Sequence, residues 1–476
     1  MKNRNYLHKT DPLKHQISVI SRIAENNAIA LFDEQGLGKT KMVLAALINN
    51  MKNKEIDAAL VICKNNLLYN WDKEIKTHTN LKSIIISGTL SGRRRIMQLS
   101  VPFYLIGYQS AIREKEILKD LLGIKRFAII LDESHVIKNP LAAVTSTCLD
   151  LGKYAKKHII LSGTPIANSP EDIWTQFMFL GVALEKSYQD FKDKYAIKIH
   201  QGDSKYNLNA LTELKSYIEE KSIRRLKTDV IFDLPNKLYK YISVEMKGKQ
   251  LELYSELRDN LLIEIKEMNG NKVIDEAKNI LKRIIRLNQI ASNPILVDKS
   301  YYETPAKFKV IDELIEDIIS NNEKAIIWTN YVENVDILNK RYKKYNSVHI
   351  HGAISIFDRN KYVNRFQNED DCKILVANPS AAREGLTLTA SNNAIYLDRS
   401  FNMVDYLQSQ DRIHRISQKK ICNIIVIKAK NTIDDYIDDV IYKKSQIAKY
   451  IQGDTNSIDI KDSFLTKDDI IKILGG

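Results

Sequence analysis

Two features are missing from these 476 residues: an apolar run long enough to cross a bilayer, and any C-x-x-C cysteine pair. A spanning helix needs about 20 consecutive apolar residues, so no membrane segment is expected. The opening residues Met1-Lys2-Asn3-Arg4-Asn5-Tyr6 lead into polar sequence rather than the apolar core of a secretory signal. The chain is therefore expected to stay in the compartment where it is made. Its four cysteines, Cys63, Cys148, Cys372 and Cys422, are too scattered for a zinc knuckle or a disulfide framework and are expected to be buried thiols.

With 44% hydrophobic and 28% charged residues, the composition is that of an ordinary globular protein, and the length predicts two or three domains. The net charge of +13 and pI near 9.2 favour a polyanionic partner. A sequence rich in Lys, Ile and Asn also arises from an AT-rich genome, so composition alone leaves both explanations open.

The chain is organised around Ala28 to Ile48. Ala28-Ile29-Ala30-Leu31-Phe32 reads as a buried strand, Asp33 to Thr40 as a glycine-bearing turn, and Met42 to Ile48 as a helix. Gly36, Leu37 and Gly38 let backbone approach an anion, the helix start directs its free amides at it, and Lys39 adds charge. The expected ligand is a nucleoside triphosphate, with the Thr40 hydroxyl on its Mg2+. The general phosphate-loop pattern asks for a glycine where this chain has Asp33; the competing reading is a plain turn without ligand. Upstream, Gln16 opens an amphipathic helix carrying Ile17, Val19, Ile20 and Ile23. Its amide offers both a donor and an acceptor to an adenine edge, although a lone helical glutamine is ordinarily solvated.

Further apolar strands follow at Ala58–Cys63, Ser83–Ile86, Phe103–Tyr108 and Phe127–Leu131. Separated by helical stretches, they indicate a parallel sheet covered on both faces. The last ends in Asp132-Glu133-Ser134-His135, at the strand end where such sheets bind ligands. Asp132 is the candidate Mg2+ ligand, and Glu133 the candidate base for the attacking water. In isolation, an acidic pair after a strand is a solvated turn.

These segments resemble a Swi/Snf-type ATPase of helicase superfamily two. Asp33 to Thr40 matches that family's Asp-Glu-x-Gly-x-Gly-Lys-Thr loop, which accounts for Asp33. Asp132, Glu133, His135, Lys138 and Asn139 match its acidic box, and Leu161 to Asn168 its coupling motif, with Ser162 where many members carry threonine. Arg224 to Val230 with Leu234 to Lys237, and Arg286 to Leu296, resemble segments specific to this group. Gly248–Met268 and Lys272–Ile290 read as helices of a protrusion. Strands at Ala325–Trp328, Ser347–Ile350, Lys373–Ala377, Ala394–Leu397 and Ile424–Ile427 look like a second lobe. Phe401 to Gln418 resembles the final motif, with Gln408, Arg412 and Arg415 spaced along one helical face. The resemblance implies that the two arginines act as arginine fingers and that Gln408 lies at the nucleotide.

The implied fold is α/β, with two RecA-like parallel-sheet lobes in tandem and a helical insertion between them. Residues 1–175 form the ATP-binding lobe, 176–300 the insertion, 301–446 the second lobe and 447–476 a helical tail. The resemblance spans Pro12 to Gln446. By the same resemblance Lys64, Asn70, Trp71 and Tyr108 in the first lobe, and Asn330, His351 and Gly385 in the second, contact DNA without reading bases. Trp71 has a competing reading as core, and the cluster Arg93-Arg94-Arg95 one as a solvated turn. Asn378 to Gly385 departs from the family's glycine-rich turn. The implied function is a cytoplasmic, nucleoid-associated and monomeric DNA-dependent ATPase that translocates along duplex DNA, with room for a protein partner. A strand-separating or branch-migrating helicase and a non-catalytic scaffold are the alternatives.

Overall fold

Short, almost wholly apolar segments dictate the architecture. The computed structural model describes residues 8–196, 198–200, 203–205, 207–231, 233–267, 276–381, 386–458 and 471. The chain divides into two compact units, one of residues 1–198, 206–232 and 446–459, the other of 199–205, 233–445 and 460–476.

In the first unit, strands β1 (Ala28–Leu31), β2 (Ala58–Cys63), β3 (Ser83–Ile86), β4 (Phe103–Gly107), β5 (Phe127–Asp132) and β6 (Ala155–Leu161) lie parallel. After a small strand pair, β7 (Lys198–His200) and β8 (Asp203–Lys205), the two-residue β9 (Ser222–Ile223) completes a seven-stranded sheet of order β3-β4-β2-β5-β6-β1-β9. Helices α1 (Lys14–Glu25) and α2 (Lys39–Lys52) bury Val19, Ile20 and Ile23 with Val43, Leu44 and Leu47 in one core. These apolar positions recur at helical spacing, so each helix presents one greasy stripe.

The second unit holds β10 (Lys237–Val244), β11 (Ala325–Trp328), β12 (Val348–Ile350), β13 (Ile374–Ala377), β14 (Asn393–Tyr396) and β15 (Cys422–Ala429). They form a six-stranded parallel sheet of order β10-β15-β14-β11-β13-β12. Helices Gly248–Glu267 and Ala277–Ser292 pair within this unit, where Gln250 Nε2 donates to Ile290 O at 2.9 Å. The expected α/β architecture of two parallel-sheet lobes with added helices is the one observed.

The division between the lobes differs from the boundaries read in the sequence. Residues 206–232, assigned there to the insertion, belong to the first unit because β9 pairs with β1 and the hydrogen bonds run on past it. Phe32 N donates to Ile223 O at 2.8 Å and Glu34 N to Arg225 O at 3.0 Å. The last long helix, Ile433–Ile451, starts among second-unit residues, and residues 446–459 belong to the first. All four cysteines are free and buried. Among the described residues, no helix is long and apolar enough to cross a membrane.

Candidate nucleotide site

Strand register brings the site together. Asp132 at the end of β5 aligns with Leu161 at the end of β6, and Leu161 aligns with Leu31 at the end of β1. Three neighbouring parallel strands thus deliver the acidic box, the coupling motif and the phosphate loop to one edge, about 5 Å apart from strand to strand.

The loop itself is shaped by two left-handed glycines, Gly36 at φ 92° and Gly38 at φ 80°. Glycine adopts this conformation without steric cost. A Cβ on Gly38 would fall 2.5 Å from Gln16 Nε2, and one on Gly163 2.8 Å from Gln35 Cγ. Gln16 is buried, accepts from Leu13 N at 3.0 Å and donates to Leu37 O at 3.2 Å. It is therefore fixed against the loop, with its amide oxygen and nitrogen both engaged by backbone. No side chain caps the start of α2, which leaves its first-turn amides available to an anion. Lys39 Nζ donates to Asp33 O at 2.7 Å and Glu34 O at 3.2 Å, lying folded across its own loop. Burial pulls its pKa below the ordinary lysine value, opposed by the charges of Glu133, Asp33 and Asp132.

Asp33 explains why the general pattern's glycine is absent. Its carboxylate is fully buried and receives Arg225, through Nε at 3.1 Å and through Nη2. A glycine there would leave that guanidinium without its partner.

At the acidic box, Trp71 Nε1 donates to Asp132 Oδ2 at 2.8 Å, and Glu133 N donates to Asp132 Oδ1 at 2.9 Å. Glu133 itself is left-handed, φ 53° and ψ 52°, an unusual conformation for a residue with a side chain. Its Oε2 lies 3.2 Å from His135 Nδ1, which is also 3.4 Å from Ser162 Oγ, and Lys64 Nζ lies 3.5 Å from His135 Nε2. Burial and the neighbouring Glu133 charge raise the Asp132 carboxyl above its usual range. Burial pushes Glu133 the same way, but His135, Lys64 and Lys39 outweigh it and hold Glu133 below its usual range. The pair is thus driven apart, with Glu133 the more firmly ionised member.

Thr40 and Asp132 suit Mg2+, offering a hydroxyl at the start of α2 and a carboxylate at the end of β5. The positive-φ cradle, together with the buried, unpartnered Thr164 Oγ1, fits a phosphate-bearing ligand.

Two nucleic-acid expectations are corrected. Trp71 is 1% exposed and Tyr108 4%. Trp71 is spent on the Asp132 carboxylate, and Tyr108 Oη donates to Asp132 O at 2.9 Å. Both act behind the acidic box rather than at the surface. Asn70 is exposed and Lys64 partly so. Of the triple-arginine cluster, Arg93 is committed to the buried Glu114 at 2.6 Å, while Arg94 and Arg95 face solvent.

In the second unit, Asn330 is tied to Asp398, its N donating to Oδ1 at 2.7 Å and its Nδ2 to the same oxygen at 2.9 Å. His351 is buried, with Nδ1 accepting from Ala353 N at 3.3 Å and Nε2 3.5 Å from Asp336 Oδ1. Gly385 lies outside the described residues, as do the three residues before it, 382–384, in the departing turn.

The final motif corrects another expectation. Its helix, Met403–Gln410, contains Gln408 but stops before Arg412 and Arg415. The following residues turn because tertiary partners take up their polar groups. Lys237 holds Asp411 at 3.2 Å, His414 Nε2 meets Pro235 O at 2.7 Å, and Leu388 N donates to Arg412 O at 2.9 Å. Gln408 and Arg412 are buried, and Arg415 Nη1 donates to Thr387 Oγ1 at 2.7 Å. The two arginines are thus positioned by packed turns and not by a common helical face.

A phosphate loop, an acidic box and a coupling motif on one parallel sheet, with a second parallel sheet following in the chain, mark a nucleotide-binding fold of helicase type. Residues 14–296 match the SNF2-related domain and residues 306–417 the helicase conserved C-terminal domain. The chain belongs to the SNF2-related family.

Among its relatives is an uncharacterized ATP-dependent helicase of Mycoplasma genitalium, 27% identical over 435 residues, covering 90% of this chain and 41% of that protein. Another is the ISWI chromatin-remodeling complex ATPase of Saccharomyces cerevisiae, 25% identical over 465 residues, covering 92% and 40%. The chain thus spans about two fifths of the length of these curated relatives. A solved SWI2/SNF2 ATPase core of Sulfolobus solfataricus in complex with dsDNA is 28% identical, covers 95% of each chain and gives a TM-score of 0.46.

Proposed function

We propose that this chain hydrolyses ATP when bound to nucleic acid and uses the energy to move along duplex DNA, without reading its sequence. The observation that carries the ATP site is the alignment of Asp132, Leu161 and Leu31 at one sheet edge, which sets the acidic box beside the phosphate loop.

Gly36 to Thr40 and the first turn of α2 bind the phosphates, Lys39 neutralises them, and Gln16 holds the loop and meets the adenine. Glu133, held ionised by His135, Lys64 and Lys39, orients the attacking water and takes its proton. Thr40 and Asp132 would hold Mg2+, which supplies charge neutralisation on the phosphates. In the second lobe Arg412 and Arg415 are the candidates for stabilising charge on the transferring phosphoryl group, and Gln408 the candidate nucleotide contact.

The polyanion partner is supported by the net charge of +13 and by family membership. Exposed Asn70 and partly exposed Lys64 suit phosphate contacts in the first lobe. His135 lies 3.5 Å from Lys64 and 3.2 Å from Glu133, so a phosphate that draws Lys64 away changes the charge felt by the base. This gives nucleic acid a short route to hydrolysis.

The test is ATP turnover with no nucleic acid, single strands, duplex, a fork and RNA, across a salt series. Strong stimulation by plain duplex is the expected result. Stimulation by forks or single strands alone would instead favour a strand-separating helicase, and retained turnover in Lys39→Ala would overturn the site assignment.

A further inference from the structure

The last long helix ends with a device the ATP chemistry does not yet use. Gly453, at φ 83°, stops Ile433–Ile451: its N donates to Tyr450 O at 3.1 Å, and Asp454 N donates to Lys449 O at 2.8 Å. This is a glycine-terminated helix end, in which the left-handed residue turns the chain sharply.

The turn delivers Asp454 to Arg224. Asp454 Oδ1 accepts from Arg224 Nε at 2.9 Å and Oδ2 from Nη2 at 2.7 Å, a two-point contact between side chains only 8% and 15% exposed. The remaining nitrogen, Arg224 Nη1, donates to Phe32 O at 2.6 Å and to Gly163 O at 3.2 Å. Phe32 immediately precedes the phosphate loop, and Gly163 lies in the coupling motif. Because the guanidinium is planar, fixing two of its nitrogens also fixes the direction of the third.

The docking is supported on its outer side. Lys215 Nζ donates to Thr455 O and to Asn456 Oδ1, both at 3.2 Å, and Thr212 Oγ1 lies 2.7 Å from Tyr450 Oη. Every one of these groups belongs to the first unit.

We propose that Asp454 is a positioning residue for ATP hydrolysis. Acting through Arg224, it sets the spacing between the carbonyl that opens the phosphate loop and the carbonyl of the coupling motif. With the turn docked, both loops share one guanidinium; with it released, Arg224 keeps the carbonyls but loses its orientation. ATP turnover therefore reads whether the chain after the second lobe has returned to the first. This rests on the reading of Ala28 to Thr40 as the triphosphate site.

The test compares full-length wild type with D454N, D454E, R224K and the double variant D454N/R224K, measuring kcat and KM for ATP and the melting temperature of each. D454N keeps the side chain's size, removes its charge and replaces one of the two accepting oxygens by a donor, so the two-point contact with Arg224 is lost. The expected result is a fall in kcat/KM of roughly tenfold or more, with partial recovery in D454E and no further loss when R224K is added to D454N. Wild-type kcat/KM in D454N, or losses that simply multiply in the double variant, would overturn the proposal. So would turnover in D454N that returns to the wild-type value once assays are run well below its melting temperature. Lys39→Ala serves as the control: if it still turns over ATP, the site reading has failed, whereas an inactive Lys39→Ala beside a normal D454N removes only the role of Asp454.

Discussion

Asp33 and Arg225, 192 residues apart in sequence, form an ion pair whose carboxylate is completely buried. Arg225 also donates to His15 O, so one side chain joins the phosphate loop to the start of α1. Removing one member of a buried pair leaves the other charged and unpaired, a loss of roughly 3–5 kcal/mol. Asp33→Gly, which restores the general phosphate-loop pattern, is therefore expected to destabilise the protein by that order. Urea unfolding checks this, and an unchanged midpoint would refute it.

Trp71→Phe keeps the buried ring but deletes the N–H that Asp132 Oδ2 accepts. A lost hydrogen bond to a charged group is worth about 1.5–3 kcal/mol. ATP turnover is expected to fall by about tenfold or more, while affinity for duplex DNA stays at the wild-type value. Fluorescence anisotropy with labelled DNA separates the two; weakened DNA binding with normal turnover would restore Trp71 as a surface contact.

Arg415→Ala removes a cation whose guanidinium is held in place by Thr387 Oγ1 and the Asp411 carbonyl. Hydrolysis is expected to drop by roughly 10³ or more, with nucleotide affinity little altered. Single-turnover assays beside a fluorescent-nucleotide titration measure both, and a loss confined to affinity would argue against a transition-state role.

Lys157 supplies a pH signature. It is buried in β6 and donates to Ile23 O at 3.0 Å and Ala24 O at 2.6 Å, near the C-terminal end of α1. Burial pulls its pKa down to about 8, partly opposed by the charge of Glu55. Between that value and the ordinary lysine value of about 10.4, the unfolded chain binds more protons than the folded one. Stability contributed at this position is expected to rise with pH across that window and to be flat below it. The melting-temperature difference between wild type and Lys157→Met, followed from pH 7 to about 10.5, tests the sign: a difference that shrinks as pH rises would contradict it.

Much of the first lobe was legible because its strands are continuous apolar runs: Ala58–Cys63 and Ser83–Ile86 were read with the bounds the structure gives. The phosphate loop and acidic box were legible from residue type and spacing. Strand β9 was not, since two residues carry no periodicity and Ser222–Ile223 becomes a strand only through β1. Strand β10 lies at a sheet edge, and its largely exposed residues give no clear burial pattern. Arg412 and Arg415 have helical spacing, but Lys237 and the Pro235 carbonyl, more than 170 residues upstream, divert the chain into turns. Trp71 looked like a surface aromatic because nothing local reveals that its indole faces Asp132.

The left-handed backbone of Glu133 has an evolutionary consequence. A residue with a Cβ pays about 1–2 kcal/mol to hold that conformation, and glycine does not. If Glu133 is the base proposed above, selection for heat resistance alone should therefore drift toward Glu133→Gly and yield a tougher protein that has lost the group proposed to activate water. At this position durability and turnover pull in opposite directions, and the carboxylate persists only where hydrolysis itself is selected.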